Sequence, residues 1–347
     1  MKLSEFKYNL PRNSIAKFPA TPRDTSKMMI VNRETGETEE KQFSSILDMF
    51  QKGDCLVLNQ SKVFPARLFG KKEKTNAKIE VMLLRELKSE ERIWDVLVEP
   101  ARKVRIGNKI YFDNNKFYCE VIDNTTSRGR TVRFSYDGNL FKVIERIGEM
   151  PLPSYIKRDP TDLDKDTYQC VFAHKDYLAS IAPPTAGLHF TPELLKAIEA
   201  KGVKIAKVVL YIGQGIFENI EVEDLTKHRM YSEYFEISRE SAETINKSLR
   251  NKKHVYTAGA SVVRALETSV LTTGAVKPNR GWTDKFIYPP YEFKIATRLI
   301  TNFHPPASPS LLLAAAFAGK ELVFKSYKLA IKNDLRFFAY GDAMLII

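Results

Sequence analysis

From about Val63 to Met150 the sequence breaks into short strand-like runs, and this block sits inside a chain that otherwise alternates strand with helix. The runs are KIEVMLL (78–84), IWDVLVE (93–99), KIYF (109–112), FYCEVI (117–122) and TVRFSY (131–136). Turn signals separate them at Gly107-Asn108, Asp113-Asn114-Asn115, Ser127-Arg128-Gly129 and Asp137-Gly138-Asn139. Regularly spaced strands without a helical period predict a small barrel or sandwich. Outside the block, Thr191-Pro192 opens a helix over 192–201 that Gly202 ends, and VKIAKVVLYI (203–212) reads as a buried strand. Ser238 caps a helix to about Asn251, HVYTA (254–258) is a strand, and a helix runs from about Val262 to Thr272. KFIY (285–288) and RLITNF (298–303) read as strands. An apolar helix starts at Ser308-Pro309, Gly319 interrupts it, and a further helix runs to about Asp334, followed by strands FFAY (337–340) and AMLII (343–347). KMMIVN (27–32) and CLVLN (55–59) supply strands ahead of the block. The expected fold class is α/β with two domains. A mixed or parallel α/β domain from residues 1–60 plus 153–347 would carry an inserted, small antiparallel β-barrel over 61–152.

Charge bears on partners. The chain has 347 residues and a net charge of +12, which makes a polyanion such as nucleic acid plausible. Residues 61–152 hold +6 of it, more than twice the density of the rest, with Arg102, Lys103, Arg105, Lys109, Arg128, Arg130 and Arg133 prominent. A solvated strand face explains such a run equally well. The three cysteines, Cys55, Cys119 and Cys170, form no Cys-x-x-Cys pair and suit a reducing compartment. The opening MKLSEFKYNL is too charged for a secretory signal, and the longest apolar run, 311–318, is far short of a membrane span. A soluble cytoplasmic protein is expected.

Several chemistries find no motif. There is no GxxxxGK[ST] loop, and Gly213-x-Gly215 has Glu218 where a dinucleotide fingerprint needs its third glycine. Asp162-x-Asp164-x-Asp166 reads as a solvated acidic loop, and the five histidines show no metal-ligand spacing, so no metal is expected. What remains are polar residues where strands end and helices begin, the places where open α/β sheets bind ligands. Ala182-Pro183-Pro184-Thr185-Ala186-Gly187-Leu188-His189-Phe190 precedes a capped helix, whose free N–H groups suit an anion. Gly259-Ala260-Ser261-Val262-Val263-Arg264-Ala265-Leu266-Glu267 places Arg264 and Glu267 one turn apart, which alone would be an ordinary intrahelical ion pair. Gly281-Trp282-Thr283-Asp284, Thr301-Asn302-Phe303-His304-Pro305-Pro306 and Tyr340-Gly341-Asp342 complete the set.

At these residues the chain resembles the S-adenosylmethionine:tRNA ribosyltransferase-isomerase family of the queuosine pathway. The likeness runs end to end, through RDTSKMMIVNRETG (23–36), GDCLVLNQSKVFPARLFGKK (53–72), GEMPLPSYIKR (148–158), APPTAGLHFTPELL (182–195), GWTDKFIYPPYEFK (281–294), TNFHPPASPSLLLAAAFAG (301–319) and RFFAYGDAMLI (336–346). It implies an α/β domain with an inserted barrel. It also implies a reaction in which S-adenosylmethionine is a co-substrate that donates ribose, with no bound cofactor. The acceptor would be 7-aminomethyl-7-deazaguanine at the wobble position of tRNAs with GUN anticodons, and the products epoxyqueuosine-tRNA, adenine and methionine. A monomer with no membrane partner is expected.

Under this resemblance His189 and His304 are the acid/base candidates, since neutral imidazole is available near pH 7. Arg264, with N–H groups of the helix after Thr191, would hold the methionine carboxylate. Glu267 or Asp284 would offset the sulfonium or bind ribose hydroxyls, as the other catalytic candidates. Thr185, Gly187, Phe190 and Asn302 are expected to bind substrate, and Asn59, Lys62 and Arg67 to position substrate or RNA. Arg102, Lys103, Arg105 and Lys109 are the RNA-binding candidates. The chain departs from the family pattern at Tyr211 and Tyr231, where His is common, and at Ala260 and Val262, where hydroxyls are usual. Thr is usual where Ile216 and Pro309 stand. The rival readings are an S-adenosylmethionine-dependent RNA methyltransferase and a non-catalytic RNA-binding module.

Overall fold

The computed structural model describes residues 1–347 apart from Asn114, Asn115, Ser127, residues 217–219 and the side chain of Ile216. The turns read through Asn114-Asn115 and Ser127, and the Glu218 position, lie outside the described residues. The run Cys55–Asn59 is buried throughout and lies at the middle of a nine-stranded mixed sheet. Such an apolar run needs cover on both faces. Cys55 and Val57 pack with Val208, Ile245, Val262 and Leu266 on one side, beneath the helices Arg239–Arg250 and Ala260–Thr268. Leu56 and Leu58 point the other way, toward Leu194, Ile198 and Phe190, as the period of two requires.

Four strands form the parallel centre: Lys204–Leu210, Cys55–Asn59, Val255–Ala258 and Arg298–Asn302. Glu233–Ile237 and Asn279–Thr283 extend it antiparallel beyond Lys204–Leu210. At the other side Ala343–Ile346 runs antiparallel to Arg298–Asn302 and parallel to Lys27–Val31, and Thr38–Gln42 closes the edge. The helices Pro309–Ala318 and Lys320–Lys332 cover that end.

The strand-rich block is a closed antiparallel barrel in the order Gly129–Ser135, Ile93–Glu99, Lys78–Lys88, Arg67–Lys72, Lys109–Asp113 and Phe117–Asn124. Arg67 and Glu149 exchange backbone hydrogen bonds of 3.2 and 2.9 Å, so the chain enters and leaves the barrel at one seam. The mixed α/β class with a small antiparallel barrel is thus as expected.

Three local expectations are corrected. KFIY (285–288) is not a strand; the ladder position beside Glu233–Ile237 belongs to Asn279–Thr283. The carbonyl of Lys285 instead accepts from Arg264 Nε at 2.9 Å. FFAY (337–340) is a turn, with Phe338 at φ +71°, because Ala343–Ile346 already occupies the edge of Arg298–Asn302. The helix expected at 262–272 is Ala260–Thr268 and begins directly at Gly259, whose φ of +96° a side chain would resist.

Candidate active site

The carboxyl ends of the parallel strands open on a cavity of about 470 Å³. Its volume suits a nucleoside-sized ligand. Leu210, Gly259 and Thr301 mark the strand ends, and two helix starts reach it, through Ala260-Ser261 and through Ser308-Pro309-Ser310. Both starts leave N–H groups without an intrahelical acceptor. The helix after Thr191 does not line this cavity: the Thr191 hydroxyl caps Leu194 N and donates to Asp24 Oδ2 at 3.3 Å. Tyr155, Met230, Phe286, Leu313 and Phe338 provide apolar wall.

Thr185, Arg264 and His304 reach the cavity as a group. Arg264 is buried, and its guanidinium pairs with Glu233, also buried and also on the cavity wall. Arg264 Nε donates to Lys285 O at 2.9 Å and a terminal nitrogen donates to Thr283 O at 3.3 Å. Glu233 Oε1 accepts from Gly213 N at 2.8 Å. The pair therefore clamps the Gly213 loop, the helix Ala260–Thr268 and the 283–285 segment around one wall. Arg264 and Glu267 make no ion pair with each other.

Sequence reasoning missed Glu233. Its signal is the alternation of EYFEI, in which Glu233 shares a face with Phe235 and Ile237, all three buried. A carboxylate in phase with core residues must find a cation.

His304 is half-buried against the cavity, and its Nε2 lies 2.6 Å from Thr301 Oγ1. Tyr327 OH accepts from His304 N at 2.9 Å, and Tyr8 OH donates to His304 O. No hydrogen bond to Nδ1 is seen among the described residues. Removal from solvent lowers the imidazole pKa to about 4, so His304 is neutral at pH 7.

His189 is elsewhere. It lies in the core behind the wall, stacked on Phe43 at 4.9 Å, with Nδ1 2.8 Å from Ser26 Oγ. Burial lowers it to about 4 as well. Phe190 is core, and the space beside Gly187 is filled by Phe172 and Cys170, which a Cβ would meet at 2.6 and 2.8 Å. Asn302 donates to Phe338 O at 3.0 Å and so shapes the turn that carries cavity residues Phe338 and Ala339. Asn59 is fully engaged with Leu210, Ser61 and Ser261, at 2.9–3.1 Å, and so sets the position of Ser261 on the wall. Glu267 accepts from the backbone N–H groups of Lys294 and Ile295 and from Tyr291 OH. Asp284 is exposed and off the cavity wall. Of the departures, Ala260 lines the cavity, while Val262 is core.

On the barrel, Arg67 is held by Glu80 through bonds of 2.9 Å; outside it, Lys62 pairs with Leu178 in a separate two-stranded sheet. Arg102, Lys103 and Arg105 are exposed and Lys109 is half-buried. Arg130 is not part of that surface: it is buried and donates to the carbonyls of Ala101 and Val104, which anchors the turn bearing the other three.

His189 and His304, both lowered to about 4, set an acid limit on folding. An unfolded histidine titrates near 6.5, so between that value and about 4 the unfolded chain binds more protons than the fold. The histidine contribution is complete above about pH 6.5 and is lost as pH falls toward 4. His189 alone is expected to cost roughly 2 kcal/mol at pH 5 relative to pH 7. Urea midpoints at the two pH values check this, and His189→Gln should narrow the gap; an equal gap in that variant contradicts the assignment.

Comparison with known proteins agrees with the end-to-end likeness. A family model described as queuosine biosynthesis protein matches residues 3–346. The chain is 55% identical over 350 residues to an S-adenosylmethionine:tRNA ribosyltransferase-isomerase of Cytophaga hutchinsonii, with all of both chains covered. It is 54% identical over 349 residues to the protein of that name from Chloroherpeton thalassium, again with full coverage. Among solved structures it is similar to an S-adenosylmethionine tRNA ribosyltransferase of Thermotoga maritima, with a TM-score of 0.56 and 34% identity, covering 99% of this chain and 100% of that one.

Proposed function

The chain belongs to the queuosine biosynthesis protein family, and on that premise we propose how its cavity handles a ribosyl group. The reaction transfers and isomerises the ribosyl moiety of S-adenosylmethionine onto 7-aminomethyl-7-deazaguanine at the tRNA wobble position. Adenine and methionine leave, and epoxyqueuosine-tRNA remains. The observation that carries the site assignment is the meeting of neutral His304, the Arg264–Glu233 pair and two helix starts on one cavity at the strand ends.

The sulfonium of S-adenosylmethionine acidifies the adjacent ribose C5′–H bonds. A neutral imidazole is a competent acceptor for that proton near pH 7, and His304 Nδ1 is the acceptor we assign. Thr301 Oγ1 holds the ring through Nε2. Electron density released from C5′ opens the ribose ring and expels adenine from C1′, which takes up a proton as it leaves. Ring opening breaks C4′–O4′ and leaves a C4′=C5′ vinyl sulfonium, with an aldehyde at C1′ once adenine has gone. The acceptor amine adds to C4′ and loses a proton, the carbanion so formed at C5′ bonds to C1′, and the C1′ oxygen displaces methionine from C5′ to close the epoxide, so the sulfonium charge ends as a proton. Glu233 sits where a carboxylate can offset the sulfonium before that step. Glu267 and Asp284 do not lie on the wall, and the first serves as an acceptor for the 294–295 backbone. The methionine carboxylate fits the start of the Ala260–Thr268 helix, beside Arg264.

The barrel turn bearing Arg102, Lys103 and Arg105 supplies cations for tRNA phosphates in this reading. One experiment addresses both parts. Purified protein, S-adenosylmethionine and tRNA carrying the aminomethyl base are mixed over a salt series, and small products are separated by chromatography. Stoichiometric adenine and methionine, formed only with the modified tRNA, are expected. Neutralising the three basic residues should reduce the slope of affinity against salt by about two to three. S-adenosylhomocysteine as product overturns the transfer chemistry, and an unchanged salt slope removes the barrel turn from the RNA surface.

A further inference from the structure

We propose that an aromatic ribbon running outward from the cavity rim, Tyr211–Tyr234–Trp282, stacks the unpaired nucleotides of the tRNA anticodon loop. Tyr211 lies between Leu210 and Ile212, both of which line the cavity. Its ring stacks on Tyr234 with centroids 5.5 Å apart, and Tyr234 meets Trp282 edge-on at 5.8 Å. The backbone fixes this order, since Tyr234 and Trp282 are register partners on neighbouring strands and Tyr211 N donates to Tyr234 O at 2.9 Å.

Trp282 is 56% exposed, on the outermost strand at that side of the sheet. The other tryptophan, Trp94, is buried in the barrel core. An exposed indole on an edge strand invites unwanted association and gains little from burial. The guanidinium of Arg85, from the barrel strand Lys78–Lys88, lies over its ring at 5.5 Å and pairs with Asp95. Arg85 thus brings the basic barrel to the end of the ribbon. Glu236 also lies here, accepting from Tyr234 OH at 3.5 Å, and a carboxylate at that point can accept from base amino groups but repels phosphate. Bases rather than phosphates therefore suit the ribbon. Aromatic faces beside cations are the usual platform for unpaired RNA.

This inference rests on the proposed reaction. If the wobble base enters the cavity, its loop neighbours must lie at the rim, where Tyr211 begins the ribbon. Stacking accounts for the exposure of Trp282, which cross-strand packing alone does not require.

The test uses the full chain and needs no turnover for its first arm. Tryptophan emission is followed while an unmodified anticodon stem-loop RNA is added, with a fully paired duplex of the same strand as control. Loop-specific quenching, absent in Trp282→Phe, is expected. In the second arm, Trp282→Ala should raise the KM for tRNA about tenfold or more and leave the KM for S-adenosylmethionine unchanged, with Trp282→Tyr restoring most of the loss. Equal response to loop and duplex, or an unaltered tRNA KM in Trp282→Ala, overturns the ribbon while product formation by the unaltered enzyme leaves the reaction standing. Failure of the unaltered enzyme to release adenine defeats the reaction itself, whatever the emission shows.

Discussion

Alanine at position 304 is expected to slow adenine release by two to four orders of magnitude in single turnover, with S-adenosylmethionine and modified tRNA both saturating. The size follows from losing the proposed proton acceptor, and among the described residues no other histidine lines the cavity. His304→Gln separates chemistry from shape, because an amide can still bond Thr301 but cannot take the proton. Both variants should fall together. The pH profile gives a further check. With its pKa lowered to about 4, His304 stays unprotonated as pH falls through 6.5, and only below about 4 is its function as a base lost. The unaltered enzyme should therefore show no limb near 6.5 from this group. A rate within fivefold of the unaltered enzyme in His304→Ala would remove His304 from the proton path.

Glu233→Ala carries the largest expected loss of stability. It leaves the Arg264 guanidinium buried without its counter-charge, and breaking such a pair costs about 3–5 kcal/mol. It also frees Gly213 N and so loosens the loop beyond Leu210. A fall in melting temperature of roughly 5–10 °C is expected on that basis. The double variant Glu233→Leu, Arg264→Met should recover much of this stability, since apolar replacements remove the uncompensated charge. Activity should not return with it, because the carboxylate proposed to offset the sulfonium and the cation proposed for the methionine carboxylate are both gone. Recovery of turnover in the double variant would reduce the pair to scaffolding; calorimetry alongside the adenine assay distinguishes the two results.

The parts of the fold that were legible are those whose residues carry their own burial signal. CLVLN (55–59) is apolar up to its last residue and lies in the interior of the sheet, and among the barrel runs FYCEVI (117–122) alternates buried with half-buried residues. Edge strands gave no such signal. TEEKQ (38–42) is polar and takes its place by pairing with Lys27–Val31, so nothing in its composition marks it. In Asn279–Thr283 a glycine and an arginine mask the strand, and the more apolar KFIY nearby drew the assignment instead. Periodicity reports burial, and hydrogen-bond partners from distant segments are invisible to it.

The same limit separates the site residues. Arg264 and His304 stand out because a charge and an imidazole follow strand ends, and both reach the cavity. His189 has the same local setting, yet the turn Thr185–His189 rotates it toward Phe43. Glu267 lies one turn beyond Arg264 but faces the backbone at 294–295, and Glu233 takes its place as the cation's partner. Helical spacing places two side chains on one face without saying which segment covers that face.

The strand Ala343–Ile346 separates Arg298–Asn302 from Lys27–Val31, with Met28 facing Ala343. Synthesis on the ribosome therefore presents the two ends of this sheet in an awkward order. The hairpin 27–42 emerges early and has no neighbour to join until residues 343–346 follow it out. The barrel, by contrast, pairs strands made in close succession and can close while the nascent chain is still growing. Until Ala343–Ile346 arrives, Arg298–Asn302 and Lys27–Val31 each present a bare β-edge, the kind of surface that invites wrong pairing.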